Sequence, residues 1–219
     1  MNFLLTLIEV FVVFGLMLLI YKMFNKNGLY GLAIVLSVIS NVFIYKTINI
    51  FTYESVLGVV SGMAVLIISN IIVQKNGPEE IKKLLILIIS SSFISYVILN
   101  IGGLISADNN SNLAFDELFN LNIRIFVANI LSLVISIIFS SKLYHSLRRI
   151  KNQIWISNIL SMFIICFIDA IIFVIIGYVG KVTTYEFFNL IVVGYMLKLI
   201  IGIIGTINIY LIANMKVKA

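Results

Sequence analysis

Of the 219 residues, 62% are hydrophobic and only 11% are charged, against about 25% charged in an ordinary soluble domain. A chain this short has no interior able to hide that much apolar surface, so lipid must solvate much of it, which excludes a soluble enzyme. The net charge of +6 sits in short loops between apolar runs, a pattern of membrane topology and not of nucleic-acid binding.

A helix needs about 20 apolar residues to cross a bilayer. In chain order the stretches that qualify are Asn2–Tyr21, Leu29–Tyr45, Ser55–Val73, Leu84–Ile105, Ile123–Leu143, Ile154–Val179 and Phe187–Ala213. The expected fold is therefore all-α, a polytopic membrane protein of about seven transmembrane helices (six to seven), organised as one transmembrane domain over residues 1–219. The first stretch has no basic residue ahead of it and no small-residue cleavage site, so it reads as a retained helix and not a signal peptide. Between the second and third, Lys46–Glu54 is also mostly apolar and reads as a boundary or a re-entrant segment. The polar stretch Asp108–Glu117 is the longest extramembrane loop.

Charge orients the spans. Lys22 and Lys26 fall in the first loop, Lys75, Lys82 and Lys83 in the third, Lys142, Arg148, Arg149 and Lys151 in the fifth, and Lys216 and Lys218 in the tail. The alternate loops hold Lys46 and Lys181 with Glu54, Asp108, Asp116, Glu117 and Glu186. The positive-inside rule then puts the N-terminus outside and the C-terminus in the cytoplasm.

A charge in hydrocarbon costs roughly 2.5–3.5 kcal/mol at a helix centre, so such residues mark a site or a structural pair. Asp169 and Lys198 lie mid-span in the last two helices. They either neutralise each other to fix packing or contact a polar solute or proton. Arg124 and Glu9 lie nearer span ends, where snorkelling is the plain account. Asn41, Asn70, Asn129, Ser132, Asn158, Ser161, Tyr195 and Asn208 add uncharged hydrogen-bonding groups at membrane depth, either as glue between helices or as a cavity lining. Asn129-Ile130-Leu131-Ser132 recurs 29 residues on as Asn158-Ile159-Leu160-Ser161, within a looser repeat of 129–144 on 158–173 that places Ser140 opposite Asp169. The match is either chance similarity in an Ile- and Leu-rich sequence or a repeat of the kind that surrounds the site in many transporters.

Other chemistry is missing from the sequence. The lone Cys166 lies in an apolar run and reads as packing; the lone His145 lies in a basic loop. There is no phosphate-binding loop and no Ser–His–Asp set, so neither a cofactor, a metal site nor catalysis is expected. The expected partners are a small-molecule solute and the lipid bilayer. A homo-oligomer and a separate ATPase are also compatible with the chain; nucleic acid is not.

A series of short motifs carries a resemblance. Tyr21-Lys22-Met23-Phe24-Asn25-Lys26-Asn27-Gly28-Leu29-Tyr30 resembles Y-x-x-F-G-K-x-G-L-Y, and Asn41, Lys46-Thr47 and Phe51 resemble N-x-x-x-x-K-T-x-x-x-F. Gly77 and Glu80 to Lys83 are similar to Y-G-K-K-E-A-x-K. Arg124 with Ser136, then Trp155, Asn158, Ser161, Asp169 and Phe173, resemble two further blocks, and Tyr195, Lys198, Thr206 and Tyr210 resemble the Y-x-x-K…T-P-x-x-Y ending. In that order the motifs resemble the queuosine precursor transporter family, also called the vitamin uptake transporter (VUT) family, in its Gram-positive type with an extra N-terminal helix (2–21) before a core over 29–213.

The resemblance implies an importer of a cationic 7-deazaguanine base such as queuine, with a site formed by Asn70, Gln74, Arg124, Asn158, Ser161, Asp169, Tyr195 and Lys198. The chain departs from the pattern where the third span's D-x-x-x-E reads Asn70 to Gln74, and where Ser140 replaces an aspartate. An amide holds a cation less strongly than a carboxylate. The alternatives are a binding subunit working with a separate ATPase, and a non-transporting membrane sensor or assembly protein.

Overall fold

A computed structural model describes residues 1–50, 53–105 and 122–215. The polar stretch 108–117, Phe51 and the tail lysines Lys216 and Lys218 fall outside the described residues. The elements, in order, are α1 (Asn2–Phe43), β1 (Thr47–Ile50), β2 (Tyr53–Val56), α2 (Val59–Asn76), α3 (Glu80–Leu104), α4 (Ile123–Lys151), α5 (Ile154–Tyr178) and α6 (Thr184–Asn214). Among the described residues, six helices are long and apolar enough to cross a membrane.

Where the sequence suggests two spans, Asn2–Tyr21 and Leu29–Tyr45, α1 has two helical limbs joined at a kink within its 42 residues. At about 1.5 Å per residue it would reach about 63 Å if straight, twice the thickness of the hydrocarbon core. It is not straight: Asn25 leaves the helical region (φ 56, ψ −143). The Asn2 side chain donates to the Asn49 carbonyl at 2.8 Å, so the limb 2–24 folds back along the limb 26–43. The crossing is tight at Gly28, where a Cβ would stand 2.7 Å from Ile20 Cγ2 and 2.8 Å from the Ile20 carbonyl oxygen.

The apolar segment after α1 is not helical. It is an antiparallel β-hairpin pairing Thr47 with Val56, Ile48 with Ser55 and Asn49 with Glu54. Its alternation of Thr, Ile and Val suits a pleated ribbon. The hairpin also moves the start of the next helix from Ser55 to Val59. Gly58 lets the chain turn there, since a Cβ would lie 2.7 Å from the Ser40 carbonyl oxygen. Helix α2 is the central helix, buried at every position from Val59 to Val73 except Gly62. Because it has no lipid-facing side, it can carry Ser61, Ser69 and Asn70 among its Ile and Val residues.

Contacts sort the loops to two ends. At one end Lys26 pairs with Glu80 at 2.9 Å, Lys75 donates to the Ala213 and Met215 carbonyls, and Arg148 Nε donates to Gln74 at 2.9 Å. At the other end lie the start of α1, the β-hairpin, and the Tyr45 hydroxyl donating to the Asn122 carbonyl. A Thr183–Glu186 capping box starts α6 there. The basic residues around the α1 turn, the α2–α3 junction and the end of α4 therefore share one end of the bundle. Large apolar side chains such as Phe11, Phe93, Phe139 and Phe163 point outward, as lipid-facing residues do.

Candidate functional site

Asp169 on α5 and Lys198 on α6 meet. Lys198 Nζ donates to Asp169 Oδ2, both side chains are largely buried (12% and 8% exposed for Lys198 and Asp169), and Ser136 of α4 donates to Asp169 Oδ1 at 2.9 Å. The lysine also lies 5.6 Å from the centre of the Phe173 ring, within cation–π reach. A buried charge persists only when its partners are in place, and here each charge has the other. Beside the pair is a cavity of about 30 Å³ lined by Ser40, Asn129, Ser132, Asp169, Phe173 and Lys198. A second, of about 20 Å³, runs from Lys198 under Ser55 and Val56 of the hairpin. Each has room for a water or two; neither admits a base-sized solute, for which pockets of about 300 Å³ and more are usual. The site is closed, with its carboxylate occupied by the protein's own cation.

Two clusters of uncharged groups lie along the same axis. Toward the hairpin end, Asn129 donates to Asn41 at 2.8 Å and Asn41 to Ser92 at 2.8 Å. Toward the basic end, Asn70 donates to Asn158 at 2.9 Å, Asn158 to Thr206 at 2.8 Å and Ser140 to Asn70 at 3.1 Å. Further toward the basic end, the Tyr144 hydroxyl and Arg148 Nε both donate to Gln74 Oε1, at 2.7 and 2.9 Å. One Arg148 nitrogen, Nη1, is buried and has no acceptor among the described residues.

The structure thus brings Asp169 and Lys198 into one group, and Asn70 and Asn158 into another nearer the basic end, with Ser161 bonded to the Asn158 carbonyl. Gln74 belongs with Arg148. Arg124 lies at the hairpin end and donates to the Ile176 and Val179 carbonyls, both at 2.6 Å. It caps the C-terminus of α5, whose carbonyls favour a cation. Tyr195 packs edge-on against Phe163 and Phe167 and does not line the cavity. Ser40 and Ser136, outside the sequence-based set, reach the cavity and the carboxylate. For Ser136 the spacing places it on one face of α4 with Ser132, Ser140, Tyr144 and Arg148, which recur every four residues, but not which neighbour that face meets; for Ser40 the sequence carries no such series. Glu9, read from sequence as snorkelling, lines a separate open cavity of about 460 Å³ with Thr6, Lys46 and Asn49 at the hairpin end.

A bundle of apolar helices around a buried charge pair and two amide clusters is a multi-pass membrane protein with a polar core. Residues 56–212, well over half of the chain, match the family model described as "Putative vitamin uptake transporter". The chain belongs to that family of transporters. A curated relative is the "Probable queuosine precursor transporter" of Bacillus subtilis (strain 168), 23% identical over 199 residues, covering 88% of this chain and 86% of the relative. No solved structure matches.

Proposed function

We propose that this protein imports a small cationic, purine-like solute, a queuosine precursor such as queuine, across the plasma membrane. The observation that carries the reading is the buried Asp169 carboxylate, held by Lys198 and Ser136 beside a cavity that Ser40, Asn129 and Ser132 line together with apolar side chains. A solute cation takes the place of Lys198 on Asp169, and neighbouring amides and hydroxyls bind its neutral edge. Exchanging one cation for another keeps the carboxylate compensated throughout, which avoids the cost of an unpaired buried charge. The named function of the Bacillus relative supports the choice of solute.

The fold-back of α1 supports seven crossings, with its two limbs as separate spans. The shared end of Lys26, Lys75 and Arg148 supports a cytoplasmic basic end and an outer β-hairpin. Helices rocking about the Asp169 region would alternate access.

Lys198→Met tests the exchange. It leaves Asp169 without its cation, so the ligand-free variant melts below the wild type in detergent. Queuine then raises the melting temperature of the variant more than that of the wild type. An equal or smaller rise in the variant would contradict the exchange.

A further inference from the structure

The 29-residue repeat extends beyond α4 and α5. Ile39-Ser40-Asn41 on the second limb of α1 recurs 29 residues on as Ile68-Ser69-Asn70 on α2, and Lys46 as Lys75. The same shift takes Asn129 to Asn158 and Ser132 to Ser161. The two repeats meet in space: Asn129 bonds Asn41 and Asn158 bonds Asn70, each pair 88 residues apart. Each pair hands a further bond to a hydroxyl on a third helix, Ser92 of α3 in one and Thr206 of α6 in the other. Ser132 and Ser161 each donate to the carbonyl three residues back, Asn129 and Asn158.

The two clusters lie at opposite depths. Asn41 is near the end of α1 and Asn129 near the start of α4, both toward the hairpin. Asn70 is near the end of α2 and Asn158 near the start of α5, both toward the basic end. Neighbouring helices run in opposite directions, so a shift along the chain becomes an inversion across the membrane. Inverted repeats of this kind let one conformation be the mirror of another about a central site. Among the positions where the equivalence breaks, one carries a carboxylate. Asp169 serves the hairpin-side cavity with Asn129 and Ser40, and its counterpart Ser140 serves the basic-side cluster through Asn70.

We infer that Asn70, Asn158 and Ser140 form a second, inner half-site, the inverted counterpart of the one at Asn41, Asn129 and Asp169. It rests on the reading that a small cationic solute enters at Asp169. The inner half-site binds the solute's uncharged hydrogen-bonding edge after it leaves the carboxylate. A hydroxyl holds a cation more weakly than a carboxylate, so the solute is bound tightly outside and released inside.

The test uses full-length protein in membranes, with Cys166, the only cysteine, changed to serine. Ser132→Cys reports the outer half-site and Ser161→Cys the inner one, each read as the rate of alkylation by N-ethylmaleimide with and without queuine. The expected result is protection of both positions. Protection of Ser132→Cys alone would overturn the inner half-site while leaving the importer reading intact. Protection of neither would remove both. A second variant, Ser140→Asp, restores the missing carboxylate, and bound queuine should then dissociate about tenfold more slowly, equivalent to about 1.4 kcal/mol. Unchanged or faster dissociation would overturn the inference.

Discussion

At the residue scale, Gln74 and Arg148 show how one atom type alters a buried network. Gln74 Oε1 accepts from both Tyr144 and Arg148, yet Arg148 Nη1 is buried without an acceptor among the described residues. The family pattern has an acid where Gln74 stands. A carboxylate there supplies a second oxygen and neutralises the guanidinium through a fork of hydrogen bonds. Gln74→Glu is therefore expected to stabilise the protein by about 1–2 kcal/mol, read as a higher melting temperature in detergent. A lower melting temperature would show that the Arg148 charge is compensated in some other way. That Asp169 and Lys198 matter was legible in the sequence, because charges mid-span are costly; that they pair was only one of the two readings it left open, and the structure shows the contact. The roles of Ser40 and Ser136 were not legible, since a serine in an apolar helix carries no mark of which neighbour it faces.

At the element scale, α1 turns on Asn25. The family pattern has glycine at this position, and the backbone explains why: φ is 56°, a conformation that glycine adopts freely, asparagine tolerates and β-branched residues resist. Asn25→Gly is expected to raise thermal stability, and Asn25→Val to lower it by about 1–3 kcal/mol; the order of the three melting temperatures checks this. The turn is pinned to α3 by Glu80, which accepts from Tyr30 and Lys26. Glu80 lies ahead of the apolar stretch that begins at Leu84. The Tyr30 hydrogen bond, then the one from Lys26, hold its carboxyl below the usual carboxylate range. A group whose pKa falls on folding stabilises the protein above its unfolded value. That stabilisation fades as pH drops through about 4 toward the lower folded value. The fall in melting temperature between pH 6 and pH 3 (roughly the span of carboxylate titration) should accordingly shrink in Glu80→Gln. An undiminished fall would assign the acid sensitivity elsewhere. The helices were legible because twenty apolar residues in a row leave little alternative. The β-hairpin was not, because Lys46–Glu54 is apolar enough to resemble membrane sequence, and its period-two pattern is only a few residues long.

At the scale of the whole molecule, the parts form one polar axis inside an apolar shell. Arg124 caps α5 at one end, the Asp169–Lys198 pair and the two asparagine pairs lie between, and Gln74 with Arg148 closes the other end. The repeat of α4 on α5 was visible in the sequence. Its counterpart on α1 and α2 was obscured, because three matching residues among isoleucines and valines mean little until their asparagines are seen bonded to the other repeat. The sequence also could not divide the proposed site residues between two depths, since that depends on which helices are neighbours.

The central claim is that a cationic queuosine precursor crosses the membrane by way of Asp169. The most direct test is uptake of labelled queuine by cells lacking their own importer, with wild-type protein and with Asp169→Asn/Lys198→Met, which removes both charges together and leaves neither unpaired. The account predicts accumulation with the wild type and its loss in the double variant, with both proteins present in the membrane at equal levels. Equal accumulation by the two, or none by membrane-inserted wild type, would contradict it.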